Sequence, residues 1–204
     1  MAMVLIQLCG CTPRRVPISK ATQPHPELTG KSLGEITELF NRKTSRKNIH
    51  LSATLWDRAF IEAFLKRRAD NKNWSKEVLD QAIESWTERF LKNKTSFRIR
   101  LEALHRPLTI EGEDPLLNLE SWRWELWDSE GIHVKTSTSK TESKKVFEGS
   151  KGRQSFRIDG NIHFNYTIDP SKIQWIRLLA IPPGDEKELE LEKWVIKPAE
   201  VAHK

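Results

Sequence analysis

Apolar and charged residues alternate without a break from Trp122 to Leu126. Successive side chains of an extended strand point to opposite faces, so Trp122, Trp124 and Leu126 share one face, and Arg123 and Glu125 share the other. Tryptophan side chains carry a large apolar area, which is stabilising when it is removed from water. The pattern therefore predicts a strand over residues 121–128 with one buried face, followed by a turn at residues 128–131.

The same period of two recurs on both sides of this strand. Phe97, Ile99, Leu101 and Ala103 alternate with charged residues, which predicts a strand beginning near residue 95. Residues 137–145 are polar and have two interpretations, a loop or an exposed edge strand. Short strands separated by turn residues favour an antiparallel sandwich. Further strands are predicted at residues 48–53, 132–138, 154–158, 162–168, 173–181 and about 189–196.

Helical spacing of apolar residues predicts three helices before residue 95. A capping box of Ser32 and Glu35 predicts the start of the first. Thr54, with Asp57 three residues later, is the predicted N-cap of the second, which ends in the basic run 66–68. Ser75 is the predicted N-cap of the third, and residues 42–47 are predicted to be a basic loop.

The second and third helices each present one apolar face, so they are predicted to form a hairpin over about residues 55–93. That hairpin is expected to pack against a sheet. The predicted fold class is α+β: an antiparallel β-sandwich with an N-terminal helical hairpin packed against it. Residues 32–197 are predicted to form this single domain, followed by a short tail at residues 198–204.

The amino-acid composition limits the classes of protein to which this chain can belong. Eight tryptophans and eight phenylalanines against one tyrosine predict an aromatic core, and 204 residues suffice to build it without disulfides. Both cysteines, Cys9 and Cys11, precede the predicted domain, which excludes a disulfide framework or a cysteine-based zinc site within it. The net charge of +6 favours anionic partners, but Lys and Arg are spread along the chain, so no nucleic-acid partner is expected.

The first residues resemble a lipoprotein signal. Residues 1–10 form a short apolar segment, and Leu8-Cys9-Gly10-Cys11 resembles the lipobox of bacterial lipoproteins. The resemblance implies cleavage before Cys11 and lipidation of Cys11. The apolar segment is short and has no basic n-region, for which a start codon placed too far downstream is one explanation. The alternative interpretation is a frayed apolar terminus with two incidental cysteines.

Residues 11–31 are rich in proline and are predicted to be a disordered tether. The succession of a lipobox, this tether, Ser52-Ala-Thr-Leu55, Phe60 to Phe64 and Trp122 to Trp127 resembles a recurrent type of uncharacterised bacterial envelope lipoprotein. The resemblance implies a lipid-anchored protein of the cell envelope and supplies no activity. Thr12, rather than Asp, follows Cys11, which favours the outer membrane and a periplasm-facing domain.

No catalytic or metal-binding pattern is found in the sequence. The six histidines have no metal-ligand spacing, and there is no Gly-x-Ser-x-Gly nucleophile elbow. Glu148 to Gly152 lacks the Gly-Lys-Ser/Thr ending of a phosphate-binding loop. No catalytic residue, metal or cofactor is therefore expected, although a hydrolase with a site assembled from distant residues stays an alternative.

A basic surface near the hairpin is the one feature for which the sequence predicts a binding role. It is predicted to gather residues 42–47 and 66–72, and its candidate anion-binding residues are Arg46, Lys47, Lys66, Arg67 and Arg68. A solvated helix end with dipole-compensating cations explains the same residues without a ligand. The leading hypothesis is a membrane-anchored, non-enzymatic lipoprotein with a structural or partner-binding role. The alternative is a binding module for an anionic polymer or lipid headgroup.

Overall fold

The computed structural model of the chain describes residues 15–18, 28, 30–107, 115–136, 138–148, 153–184 and 187–197. The predicted signal segment, Cys11 and the predicted tail lie outside these residues. Within them the fold is α+β, with three α-helices and two mostly antiparallel sheets. No helix of the described residues is long and apolar enough to cross a membrane.

The first sheet has five strands, all paired antiparallel, in the order β2-β3-β4-β8-β7. It has a core face that includes Phe97, Ile99 and Leu101, and an outer face formed by the residues that alternate with them. The strands are β2 (Asn41–Arg46), β3 (Ile49–Leu55), β4 (Thr95–Pro107), β7 (Thr138–Glu148) and β8 (Arg153–Phe164).

The second sheet has six strands, with β1-β11-β9-β5-β6 in order and β10 paired with β9. All of its pairs are antiparallel except the parallel pair of β1 with β11. The strands are β1 (Arg15–Pro17), β5 (Arg123–Asp128), β6 (His133–Lys135), β9 (Trp175–Ile181), β10 (Leu189–Glu190) and β11 (Trp194–Lys197).

The tryptophan-rich strand has the predicted orientation. Trp122, Trp124 and Leu126 are buried, while Arg123 is exposed. The indole rings of Trp122 and Trp124 stack at 5.6 Å, and the Trp124 Nε1 donates to the carbonyl of Leu119. The two sheets meet in one hydrophobic core, in which Phe97 of β4 contacts Trp194 of β11 with ring centroids 5.1 Å apart.

The helices are α1 (Leu33–Phe40), α2 (Arg58–Lys72) and α3 (Lys76–Leu91). The capping box of Ser32 with Glu35 is confirmed, and Ser75 caps α3 as predicted. The N-cap predicted at Thr54 is wrong, because Thr54 is still paired within β3 and the Asp57 carboxylate accepts from the Ala59 N–H instead. The second helix also continues past residue 68 until Asn73, whose left-handed backbone (φ 52°) ends it.

Four segments differ from their predictions. The last strand, predicted at about residues 189–196, is divided into β10 and β11, which pair separately with β9. Residues 42–47, predicted to be a loop, supply most of β2, because the buried Arg42 binds the backbone carbonyls of Leu39, Asn41 and Lys193. Residues 154–158 and 162–168, predicted to be separate strands, belong largely to one strand, β8, which ends at residue 164. Part of the predicted disordered tether is ordered, because residues 15–17 form β1 and the side chain of Val16 is buried.

Side chains of the hairpin contact the outer face of the five-stranded sheet. Trp56, just before α2, stacks on Phe90 of α3 at 4.6 Å and donates to the Asn161 side chain from its indole Nε1. Phe90 in turn stacks on His163 of β8 at 5.8 Å. At one end of the outer face, Asn161 and His163 of β8 therefore lie in contact with Trp56 and Phe90.

Candidate functional site

A cleft of about 520 Å³ lies between α1, α2 and the open part of the outer face of the five-stranded sheet. We call it the arginine cleft and define it by the five cationic side chains that line it. Its volume is in the usual range of ligand-binding pockets. No carboxylate lines the cleft among the residues that the structure describes. The five cations are Arg67, Arg68, Lys72, Arg98 and Arg100.

The register of the sheet explains why two of these cations lie side by side in the cleft. Arg98 and Arg100 are two residues apart on β4, so they point to the same face and away from the core. Arg98 pairs with Thr54 and Arg100 pairs with Ser52, and both of these β3 residues also line the cleft. The strand alternation that buries the apolar residues of β4 therefore presents its arginines together on the outer face.

The periodicity of α2 supplies the other cations. Phe60, Phe64, Arg67 and Asn71 recur at intervals of three and four residues, which places them along one side of the helix. Phe60 and Phe64 give the cleft an apolar end, and the basic residues of the later turns give it a cationic end. The guanidinium of Arg98 lies over the Phe64 ring at 5.2 Å, where the apolar and cationic ends meet.

A single carboxylate beside the cleft is shared by three arginines. The Asp159 Oδ1 accepts from Arg100 Nε at 2.9 Å, and Asp159 Oδ2 accepts from Arg157 Nε at 3.2 Å. Arg98 Nη2 lies 3.9 Å from the same carboxylate. Burial would raise the pKa of Asp159, but the hydrogen bonds and charges of Arg100 and Arg157 outweigh burial and lower it. One negative charge thus faces three positive charges.

Burial is the largest influence on the pKa of Arg98. Its side chain is 32% exposed, and burial lowers the pKa of its guanidinium, with the attraction of Asp159 opposing that change and the charge of Arg100 adding to it. Arg98 is thus a partly desolvated cation with incomplete compensation. A ligand anion at this position would replace solvation that folding has removed.

The cations of α2 are less constrained. Arg67 and Lys72 form no ion pair with any residue that the structure describes. The guanidinium of Arg68 lies 5.7 Å from the Trp74 ring, a contact that steadies the side chain and leaves its charge uncompensated. Arg58, at the start of α2, differs because it pairs with Glu62 and Glu84 at 2.8 Å each. The uncompensated charge of α2 is concentrated at the cleft.

The predicted anion-binding residues are only partly brought together. Arg67 and Arg68 line the arginine cleft, but Lys66 and Lys47 are exposed and do not. Arg46 also does not line it, and its Nη1 donates to the Lys187 carbonyl at 3.0 Å. Sequence reasoning missed Arg98 and Arg100. Their signal was the strand pattern itself, in which two arginines alternate with the buried Phe97, Ile99 and Leu101 and so share a face.

Two histidines of the described chain, His163 and His133, have structural contacts. His163 Nδ1 lies 2.8 Å from Ser96 Oγ, and burial together with the charges of Lys94 and Arg89 lowers the pKa of His163 to about 4. His133 stacks on Trp127 and lies 3.1 Å from Glu125. Within the part of the chain that the structure describes, no three His, Cys, Asp or Glu side chains are grouped so that they would hold a metal ion.

Comparison with known proteins leaves the family open. No protein-family model matches the chain, and no curated protein matches it. Among solved structures, it is similar to a protein of unknown function from Burkholderia pseudomallei, with 9% sequence identity and a TM-score of 0.41. That similarity covers 81% of this chain and 82% of the other, and at this TM-score no functional argument is drawn from it.

Proposed function

We propose that this protein is a non-enzymatic binding protein whose arginine cleft holds an anionic ligand, and that a lipid on Cys11 anchors it in the cell envelope. The observation that carries the binding proposal is the charge imbalance of the cleft. Five cationic side chains line it, and Asp159 beside it is the one carboxylate that contacts two of them among the described residues. The fold does not require this surplus of cations, because exposed charges and ion pairs contribute little to stability.

The geometry of the cations also favours a ligand with anionic oxygens. A guanidinium offers several N–H donors in one plane, which matches carboxylate and phosphate groups. Arg100 uses its Nε on Asp159, and Arg98 only approaches the same carboxylate at 3.9 Å. Donors of both side chains therefore stay available to a bound anion. The nearby rings of Phe60 and Phe64 lower the local dielectric constant, which strengthens such contacts.

The finer architecture is part of the proposal. We propose that the two sheets stack as a β-sandwich and that α2 and α3 pack as a hairpin on the outer face of the five-stranded sheet. Support comes from the contact of Phe97 with Trp194 between the sheets, and from the contacts of Trp56 and Phe90 with β8. In this arrangement the hairpin forms one wall of the arginine cleft, and the sandwich holds the opposite wall rigid.

The envelope location rests on the lipobox resemblance of Leu8 to Cys11. Acyl chains on Cys11 would hold the protein on the membrane stably, since two or more chains anchor far better than one. Intact mass of the native protein from the membrane fraction should show a chain that begins at Cys11 and carries fatty acids. Cys11→Ser should move the protein to the soluble fraction, and a wild type that is itself soluble and begins at Met1 would refute the anchor.

Anion binding is tested with tripolyphosphate as probe, by calorimetry on the full chain at low and high NaCl. Arg67→Ala combined with Arg68→Ala should weaken binding at least tenfold, and binding to the wild type should weaken steeply with salt. The matched control, Lys66→Ala combined with Lys76→Ala, removes the same charge from exposed helix positions outside the cleft. It should change the affinity less than about twofold by long-range attraction alone. Equal losses in both double variants would refute the cleft as the site.

A further inference from the structure

A second cleft continues the arginine cleft across the same outer face. It has a volume of about 510 Å³, and three residues line both clefts: Asn41, Ser52 and Arg100. These residues lie on β2, β3 and β4, so the two clefts meet across three neighbouring strands. Together the clefts form one groove that is longer than a single small anion requires.

The chemistry changes along this groove. The second cleft presents the hydroxyl group of Ser45, the imidazole of His50 and the carboxylate of Glu102. Its cations are Lys43 and the shared Arg100. Glu102 stands opposite His50 in the strand register, and Ser45 stands opposite His50 on its other side. A carboxylate in this row repels further negative charge but accepts hydrogen bonds from hydroxyl groups, so this part of the groove suits a neutral, hydroxyl-rich portion of the ligand.

The side chains at the junction of the two clefts can both donate and accept hydrogen bonds. The Asn41 side-chain oxygen accepts from Ser52 Oγ at 2.7 Å and from Thr54 Oγ1 at 3.4 Å. The amide nitrogen of Asn41 has no hydrogen-bond partner among the residues described by the structure. Since Ser52 uses its proton on Asn41, its oxygen lone pairs can still accept. Asn41 and Ser52 therefore offer both donors and acceptors where the cationic and hydroxyl-lined parts meet.

The apolar surface of the arginine cleft completes the pattern. Leu33, Phe60 and Phe64 line its end away from the second cleft's hydroxyl groups. A ligand that matches the whole groove has an anionic group, several hydroxyl groups and carbon surfaces that pack on aromatic rings. Sugar rings that bear a carboxylate combine these three features. A chain of phosphates lacks the hydroxyl groups and the carbon surface, and it would bring a second negative charge close to Glu102.

We propose that the two clefts form one groove for an acidic oligosaccharide, with an anionic group of the sugar on Arg67, Arg98 and Arg100 and the adjoining sugar units along Ser52, Ser45 and His50. The proposal rests on the anion-binding function proposed above and adds the ligand class. Charge complementarity selects the acidic sugar at one end, and the neutral hydrogen-bonding groups select its extension at the other. An acidic peptide and an anionic lipid surface are the competing occupants, and the experiment separates them.

The experiment measures binding of acidic oligosaccharides of one to four units to the full chain by calorimetry, in two series that carry a single glucuronate or a single galacturonate unit and otherwise neutral sugar units. At least one series should gain about tenfold or more in affinity between one unit and three, as the chain extends into the second cleft. Methyl esterification of that trimer should remove the binding. Ser45→Ala combined with His50→Ala should reduce trimer affinity toward that of the monomer. The same variant should bind tripolyphosphate as the wild type does.

Each other outcome is informative. Equal affinity for monomer and trimer in both series, with tripolyphosphate binding retained and lost in the Arg67 and Arg68 double variant, overturns the oligosaccharide groove and leaves the anion-binding function intact. Tighter binding of a polyglutamate peptide, or of vesicles containing phosphatidylglycerol, also overturns the assignment to a saccharide. Failure of every charged probe overturns the proposed function itself. Lys47→Ala, at an exposed turn outside both clefts, is the matched control and should behave as the wild type.

Discussion

The outer faces of the two sheets differ in whether their positive and negative charges are balanced. On the six-stranded sheet the charges are balanced, because Glu125 lies 3.2 Å from Arg123 and 3.1 Å from His133, and Arg177 lies 2.8 Å from Glu190. On the five-stranded sheet three arginines share Asp159, and the cations of α2 beside them add further positive charge. Both faces follow from the same strand alternation, so the fold does not require the imbalance.

We propose that this difference separates charges that only stabilise the fold from charges that bind a ligand. Exposed pairs such as that of Arg177 with Glu190 contribute little to stability, and their balance costs the fold little. A concentration of like charge in a half-buried cleft is unfavourable until an anion occupies it. The variants below test this comparison, and the first removes a side chain that contacts both sheets.

Trp194→Ala should have the largest effect, because Trp194 joins the two sheets. Its side chain is fully buried, its Nε1 donates to the Phe40 carbonyl at 2.6 Å, and its ring packs on Phe97. Truncating a buried tryptophan typically costs about 3–5 kcal/mol, so the free energy of unfolding in urea should fall by that amount. Trp175→Ala is the matched control, because that ring is half-buried and contacts Lys193; it should cost far less. Equal losses would show that Trp194 does not join the sheets.

The second prediction concerns His163, which lies on the cationic outer face. Its pKa of about 4 is below the ordinary value of 6.5 because of burial and the charges of Lys94 and Arg89. Between pH 6.5 and 4 the unfolded chain therefore binds a proton that the folded chain does not, and stability is lost as pH falls through that window. The loss attributable to His163 should be on the order of 2 kcal/mol at pH 4.5.

His163→Asn isolates this contribution. Ser96 Oγ donates to the Phe90 carbonyl, so the neutral imidazole donates from Nδ1 to Ser96, and an asparagine amide can take over that role. Urea unfolding of both proteins at pH 7.5 and 4.5 should show a smaller loss on acidification in the variant. An identical loss in both proteins would mean that His163 titrates normally in the folded state.

Local signals explain which parts of this structure could be predicted from the sequence. The capping box of Ser32 with Glu35 and the alternation from Phe97 to Ala103 depend on neighbours within a few residues, and both were predicted correctly. The strand over residues 41–46 was missed because its stability depends on distant partners. Arg42 binds a carbonyl of residue 193, about 150 positions away in the chain, and no local pattern of this polar segment reveals that contact.

The site was predicted incompletely for the same reason. Arg67 and Arg68 are conspicuous as part of a basic run, but Arg98 and Arg100 come to line the same cleft only through tertiary contacts such as that of Arg98 with Phe64. The sequence also contains no sign that Asp159 serves three arginines, since its partners lie on β4 and on its own strand. Whether the charges on a sheet face are balanced therefore depends on which strands pair, and the sequence alone does not reveal that pairing.

Asp159→Asn should sharpen the comparison by removing the one negative charge among the three arginines. Hydrogen bonds to charged groups contribute roughly 1.5–3 kcal/mol each, but the arginines here are partly exposed and the amide oxygen can still accept, so the expected loss of stability is about 1–2 kcal/mol. Affinity for tripolyphosphate should rise about threefold to tenfold, because a repulsive charge leaves the site. Unchanged affinity would indicate that the probe binds away from Asp159.

Glu190→Gln is the corresponding change on the balanced face, and it should have the smallest effect. It also removes one negative charge next to an arginine, but the Glu190 side chain is 58% exposed and its pairing with Arg177 is largely screened by solvent. Unfolding in urea should therefore change by less than about 0.5 kcal/mol. Tripolyphosphate affinity should stay within about twofold of the wild type, because screening by salt suppresses the effect of a charge on the other sheet. If Glu190→Gln raised the affinity as much as Asp159→Asn does, net charge alone would govern binding, and the arginine cleft would have no special role.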